Sequence, residues 1–137
     1  MCFRSSGEAY SSTDGESRSP ALAVKVIRRP AGITRVIASG EIDWVSVGQL
    51  DRALEHEPAA DTSALIVDLS EVGFCASCGL HLLVSLRKRA EAADVPLELV
   101  VSTYAVRRPL EASGLWPTFS VHETHDAALG SLGASDH

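Results

Sequence analysis

Ala64-Leu65-Ile66-Val67-Asp68-Leu69-Ser70-Glu71-Val72-Gly73-Phe74-Cys75-Ala76-Ser77-Cys78-Gly79-Leu80 is the stretch on which the fold turns. Its first six residues are short and almost wholly apolar, which predicts a central strand covered on both faces. Ser70 to Gly73 then predicts a turn. Phe74 leads to Ser77-Cys78-Gly79-Leu80, where a helix is expected to begin and to run to about Ala92, with Leu80, Leu83 and Val84 inward. Its basic residues fall late, as the helix dipole favours. A buried strand feeding directly into a helix is the unit from which open α/β sheets are built.

Upstream, Leu22, Val24 and Val26 alternate with Ala23, Lys25 and Ile27, the period of a strand. A turn at 28–32 returns the chain as a second extended run, Ile33 to Ile42. Asp43 is placed as the N-cap of a helix whose apolar positions are Val47, Leu50 and Leu54. Downstream, Pro96 precedes a strand over Leu97–Val101, and a third helix spans Tyr104–Ala112 and stops at Gly114. Pro109 lies deep enough in that helix to predict a kink or a late start. Phe119–Val121 reads as a short strand, and Thr124 as the cap of a last helix through Leu132. The order β-β-α-β-α-β-α-β-α predicts an α/β fold, a mixed four- to five-stranded sheet with about four helices packed on it. Residues 1–20, rich in serine and glycine, read as a disordered tail, 21–132 as one domain and 133–137 as a C-terminal tail.

The 137 residues suffice for one domain with a real core. At 45% apolar and 22% charged the composition is that of a soluble globule, and a net charge of −6 argues against nucleic acid and anionic membranes as partners. No apolar run approaches the roughly 20 residues that would allow membrane insertion, and the N-terminus lacks a signal-peptide core. Cys2, Cys75 and Cys78 are too few for a disulfide framework. Cytoplasmic residence is the expectation. The sequence sets no oligomeric state.

Two segments read together resemble the STAS-domain anti-sigma factor antagonist family. One is Gly40-Glu41-Ile42-Asp43. The other is Leu65–Leu69 followed by Val72-Gly73-Phe74-Cys75-Ala76-Ser77-Cys78-Gly79-Leu80. In the family this second segment runs from an apolar strand through a short turn, a Phe and an apolar residue to Asp-Ser-Ser/Thr-Gly-Leu. A weaker match continues through Val106-Arg107-Arg108, Leu110, Gly114-Leu115, Phe119 and Ala127-Ala128-Leu129. The resemblance implies a STAS fold, no cofactor, and a partner switch instead of an enzyme. The unmodified antagonist binds an anti-sigma factor, often a serine kinase, and frees the sigma factor. Phosphorylation of the serine that matches Ser77 breaks the complex. Ala76 stands where the family has Asp, and Cys78 where it has its second hydroxyl. Asp43, Trp44, Ala76, Ser77, Cys78 and Gly79 are expected to form the partner-binding surface, with close backbone approach requiring glycine at 79.

The residues argue similarly without the family. A serine at a strand-to-helix turn is expected to cap the helix with its Oγ. A phosphate at that place suits the helix N-terminus, so the fold should survive while a docked partner meets new negative charge. Two further readings attach to the same residues. STAS domains also serve stress-signalling assemblies and lipid-transport ATPases. Cys75-Ala76-Ser77-Cys78 is also a C-x-x-C, which raises a thiol–disulfide oxidoreductase or a redox input. Against the oxidoreductase, Cys75 takes an apolar strand position, and no tryptophan precedes the pair. The histidines, His56, His81, His122, His125 and His137, do not cluster with the cysteines at zinc spacing and read as surface residues, so no metal is expected. No G-x-S-x-G surrounds a serine. Arg87-Lys88-Arg89 reads as a solvated stretch of helix.

Overall fold

The computed structural model describes the backbone of residues 15–18 and all of residues 22–133. Its elements, in chain order, are β1 (Gly15–Arg18), β2 (Leu22–Arg28), β3 (Ile33–Ile42), α1 (Val47–Leu54), β4 (Ala64–Cys75), α2 (Ser77–Ala92), β5 (Leu97–Val100), α3 (Tyr104–Ala112), β6 (Ser120–His122) and α4 (His125–Ser131). A 3-10 turn at Trp116–Thr118 lies between α3 and β6. The strands lie side by side in chain order. β1, β2 and β3 pair antiparallel, and β3 to β6 pair parallel. Strands β2–β6 are the expected mixed sheet, and β1 adds an edge strand. Gly15–Arg18, assigned to the tail by composition, therefore belong to the sheet through pairing with Val26–Ala23. Residues 1–14, 19–21 and 134–137 lie outside the described residues.

Each parallel step is bridged by a helix, and the strands always step in the same direction. Right-handed crossovers then put α1, α2 and α3 on one face. The core agrees: Leu50 and Leu54 of α1, Leu80, Leu83 and Leu86 of α2, and Val106 and Leu110 of α3 share one cluster with Val24, Val36, Leu65, Val67, Leu69 and Leu99 of the sheet. On the other face Ala128 and Leu129 of α4 cover Ile33, Ile66 and Val100. β4 is central and buried from Ala64 to Leu69, which is why its sequence reads as one apolar run. Asp68, buried in that run, pairs with Arg35 at 2.7 Å and accepts from the Ser70 amide and hydroxyl.

Four local expectations are corrected. The chain does not turn at Ser70–Gly73, because β4 stays paired with β3 as far as Cys75. Ile37↔Asp68 is followed by Ser39↔Glu71, and Gly40↔Val72 by Glu41↔Phe74, so β4 carries one extra residue at each of two bulges. The Asp68–Ser70 bonds are turn chemistry, but they are absorbed within the strand. α3 starts at Tyr104 with Pro109 as its sixth residue, so no late start occurs. Val84 is only half-buried. The basic run on α2 is not simply solvated: the Arg89 guanidinium donates to Leu54 O (2.8 Å) and Glu57 O (3.1 Å), closing the end of α1. The Arg87 guanidinium lies 5.5 Å from the Phe119 ring centroid.

Candidate functional site

The carboxyl ends of β3 and β4 arrive together, with Ile42 opposite Cys75, and the Ala76 amide donates to Ile42 O at 2.9 Å. That bond carries the ladder one residue past the strands and leaves Ala76 extended, in the N-cap position of α2. Ser77 is consequently the first helical residue and not the cap. Its Oγ makes no hydrogen bond among the described residues and is exposed. The expected cap from Ser77 is therefore absent, displaced by one position because the sheet pairing claims Ala76.

The neighbouring loop is built by Asp43. Its Oδ1 accepts from the Val45 amide (2.9 Å) and the Ser46 amide (2.8 Å), and its carbonyl accepts from the Val47 amide (2.9 Å). Ser46 Oγ accepts from the Asp43 amide and donates to Glu41 O. Asp43 thus caps a turn, and the regular helix starts at Val47, four residues later than Asp43. The Ser46 hydrogen bonds, with that from Val45, hold the Asp43 carboxyl below the usual range, so it is ionised at neutral pH.

Ser77 and Trp44 are exposed, and Asp43 and Ala76 half-exposed, at this end of the sheet. Cys75, Cys78 and Gly79 are buried. Cys78 and Gly79 therefore support the surface from beneath and do not line it, because the first turn of α2 lies flat on β3 and β4. A Cβ on Gly79 would stand 2.8 Å from Ile42 Cγ2 and 2.9 Å from Cys75 Sγ, which is the close approach the sequence anticipated. Burial, and secondarily Cys78 nearby, pushes the Cys75 thiol up to about 11, so thiolate chemistry is suppressed there. Both cysteines are free thiols.

Sequence reading missed part of the surface. The large exposed apolar residues among those described are Trp44 (72%), Val45 (91%), Phe74 (48%) and Tyr104 (70%). All four lie at the carboxyl edge of the parallel strands: two after β3, one in the second bulge of β4, one opening α3 after β5. Thr103 Oγ1 donates to Val72 O (2.8 Å) and Ser102 Oγ to Ser70 O (3.2 Å), which ties the start of α3 to the bulged part of β4. Phe74 could have been flagged only by knowing that β4 bulges there; Tyr104 only by knowing which edge it joins.

The histidines are not all surface residues. His122 Nε2 contacts the Glu98 carboxylate at 2.7 Å, with Ser120 and Ser131 hydroxyls on the same buried oxygen. This cluster holds β5, β6 and α4 together. Among the described residues no group of three metal-ligating side chains converges, and no helix is long and apolar enough to cross a membrane. The same edge of the sheet carries an unengaged hydroxyl, an ionised carboxylate on the neighbouring loop, and exposed apolar side chains. Among the described residues no base is hydrogen-bonded to Ser77.

A family model described as the STAS domain matches residues 25–128. The chain is 33% identical over 103 residues to the anti-sigma-F factor antagonist RsfB of Mycobacterium tuberculosis, covering 74% of this chain and 84% of that protein. An anti-sigma factor antagonist from Mycobacterium paratuberculosis, known from its crystal structure, is 31% identical and superposes with a TM-score of 0.74 over 84% of this chain and 97% of that one. SpoIIAA of Bacillus in its phosphorylated form shares the fold, with a TM-score of 0.62 at 18% identity over 80% of this chain and 98% of that one.

Proposed function

Because this chain belongs to the STAS domain family of anti-sigma factor antagonists, we propose that it binds an anti-sigma factor through the surface around Ser77 and so releases a sigma factor. It works by binding and not by catalysis, in the cytosol, and its partner is an anti-sigma factor or a serine kinase. Phosphorylation of Ser77 ends the complex.

One observation carries this reading. The Ser77 hydroxyl is exposed and bonded to nothing among the described residues, at the end of the sheet that also carries four exposed apolar side chains. A hydroxyl that caps nothing can be phosphorylated without removing a structural hydrogen bond. The phosphate would sit at the start of a 16-residue helix, whose N-terminal dipole tolerates it. The added charge, about −1.5 to −2, would be lodged between apolar contacts that must lose water to dock. The same modification thus spares the fold and opposes the complex.

Affinity capture from native extract tests this with wild type, Ser77→Ala and Ser77→Asp as baits. Wild type and Ser77→Ala should retain the same anti-sigma factor, and Ser77→Asp should lose it. Equal retention by all three would refute a contact at Ser77.

A further inference from the structure

The loop from Asp43 to Ser46 presents two apolar side chains to solvent on a backbone that is held in place. Trp44 is 72% exposed and Val45 91%, while Ser46, which ends the loop, is buried at 2%. Ser46 stands in the N-cap position of α1, where a serine hydroxyl ordinarily bonds an amide of the first turn. Here it makes no such cap. Its Oγ turns back across the loop, accepting from the Asp43 amide (3.0 Å) and donating to Glu41 O (2.7 Å). We propose that Ser46 is a positioning residue, which fixes the Trp44–Val45 tip in the shape that the anti-sigma factor meets. This rests on the docking role proposed above and assigns part of it to a residue too buried for a partner to touch.

The tip is closed by two side chains that reach across it in opposite directions. Asp43 reaches forward: its Oδ1 accepts from the Val45 amide (2.9 Å) and the Ser46 amide (2.8 Å). Ser46 reaches back, to Asp43 and Glu41. Trp44 and Val45 lie between the two bridges, so their backbone is set while their side chains stay in water. Removing the Ser46 hydroxyl opens one bridge. Asp43 is half-exposed and Glu41 exposed, so water can take up both backbone groups that the hydroxyl serves. Leu50 and Leu54 keep α1 in the core. The expected consequence is a loosened tip on an intact fold.

Order at the tip bears on docking through entropy. An untethered Trp44 would be free to fold onto the neighbouring surface, and a partner would have to order it again. A tip already in place avoids that cost, which is how rigid loops gain affinity. The indole itself has only two torsions to fix, so most of the remaining freedom lies in the backbone that Ser46 holds. Asp43 shares the task but also carries a charge at the surface, so its removal mixes a lost contact with a loosened loop. Ser46 separates them. A hydroxyl that served stability alone would lower the melting temperature and leave the docking of the folded protein unchanged, whether or not Trp44 is present.

The test is a double-mutant cycle on binding, by calorimetry, with the full chain and the purified anti-sigma factor that the wild-type bait retains. Ser46→Ala should bind about fivefold more weakly than wild type. Added to Trp44→Ala, the same change should cost less than about twofold, because the tip it fixes has lost its anchor. Wild-type affinity in Ser46→Ala overturns the proposal, and so does an equal loss with and without Trp44. A second comparison stands even if Ser46→Ala is too unstable to assay. Val45→Gly loosens the backbone at a residue 91% exposed, and it should bind about threefold more weakly than Val45→Ala. Equal affinity of those two overturns the proposal. Wild-type affinity in Trp44→Ala overturns it as well and leaves the Ser77 reading to its own baits. A chain that retains no anti-sigma factor overturns both.

Discussion

Gly79 is predicted to be fixed by contact and not by backbone conformation, which makes Gly79→Ala a sharp test of how α2 is seated. The new methyl would stand 2.8 Å from Ile42 Cγ2 and 2.9 Å from Cys75 Sγ, roughly 1 Å inside the usual carbon–carbon and carbon–sulfur contact. Both neighbours are buried, Ile42 to 1% and Cys75 to 4% exposure, and Ile42 is held by the register of β3 on β4. Neither can swing into solvent. Overpacking of this kind costs about 1–3 kcal/mol. Alanine returns up to about 1 kcal/mol of helix propensity, less in a first turn. The net expectation is a loss of about 1–2 kcal/mol, a fall in Tm of about 4–8 °C for a domain of this size.

Urea and thermal unfolding would measure it, with Gly79→Val as the harsher variant and Cys75→Ala as the relieving background. Removing Sγ takes away one of the two contacts, so Gly79→Ala should cost about 1 kcal/mol less in Cys75→Ala than in wild type. A Gly79→Ala protein as stable as wild type, with no coupling to Cys75, would refute the contact account.

Three other outcomes are expected. Trp44→Ala should leave stability within about 0.5 kcal/mol, since the ring is 72% exposed, yet weaken anti-sigma factor binding at least about tenfold by calorimetry; unchanged affinity would remove Trp44 from the interface. Burial raises the Asp68 carboxyl, but the Ser70 hydroxyl and Arg35 outweigh it, so its folded-state pKa lies below the ordinary 3.8. Its contribution is thus complete above that value and lost as the pH falls through the lower one. Asp68→Asn should cost about 2 kcal/mol at pH 7 and flatten the acid limb of the stability curve; an unaltered acid limb would count against the pairing. Cys75, pushed up to about 11, should carry about 300-fold less thiolate at pH 7.5 than an unfolded thiol near 8.5. Peptide-resolved alkylation should find it slow in the native protein and fast in denaturant, and rapid native labelling would contradict its burial.

The sheet was legible because the patterns that build it are local. Alternation in Leu22–Ile27 and the unbroken apolar run from Ala64 to Leu69 state which strand has one covered face and which has two. The order of elements then fixes the crossovers. Ser70–Gly73 misled because Asp68 and Ser70 do make turn-like hydrogen bonds, and only the length of β3 decides that the strand continues. Ser77 was found, but its role as a cap was not, because one hydrogen bond from Ala76 to Ile42, across 34 residues of sequence, shifts the helix start. The outer rim is written nowhere in the sequence order: Val45 follows β3, Phe74 lies near the end of β4 and Tyr104 opens α3, and they share only the sheet's carboxyl edge.

That displacement of the helix start bears on the switch proposed for Ser77. Had Ser77 capped α2, phosphorylation would have altered a structural bond, and its effect on docking would be mixed with an effect on the fold. With Ala76 in the cap position, the hydroxyl is outside the hydrogen-bond scheme, and stability and docking are separable. Ala76 also removes the carboxylate that the family places beside its serine. The unmodified loop then carries no acidic group of its own at 76, while Asp43, held ionised by the Ser46 and Val45 amides, remains on the neighbouring loop. In the proposed switch, phosphate at Ser77 would therefore add about −1.5 to −2 of charge to a turn whose own residues 76 and 77 carry none, next to a loop that already bears the Asp43 carboxylate. The contrast between the two states is set by desolvation, which falls hardest on charge brought between apolar surfaces. Neither state needs α2, β3 or β4 to move.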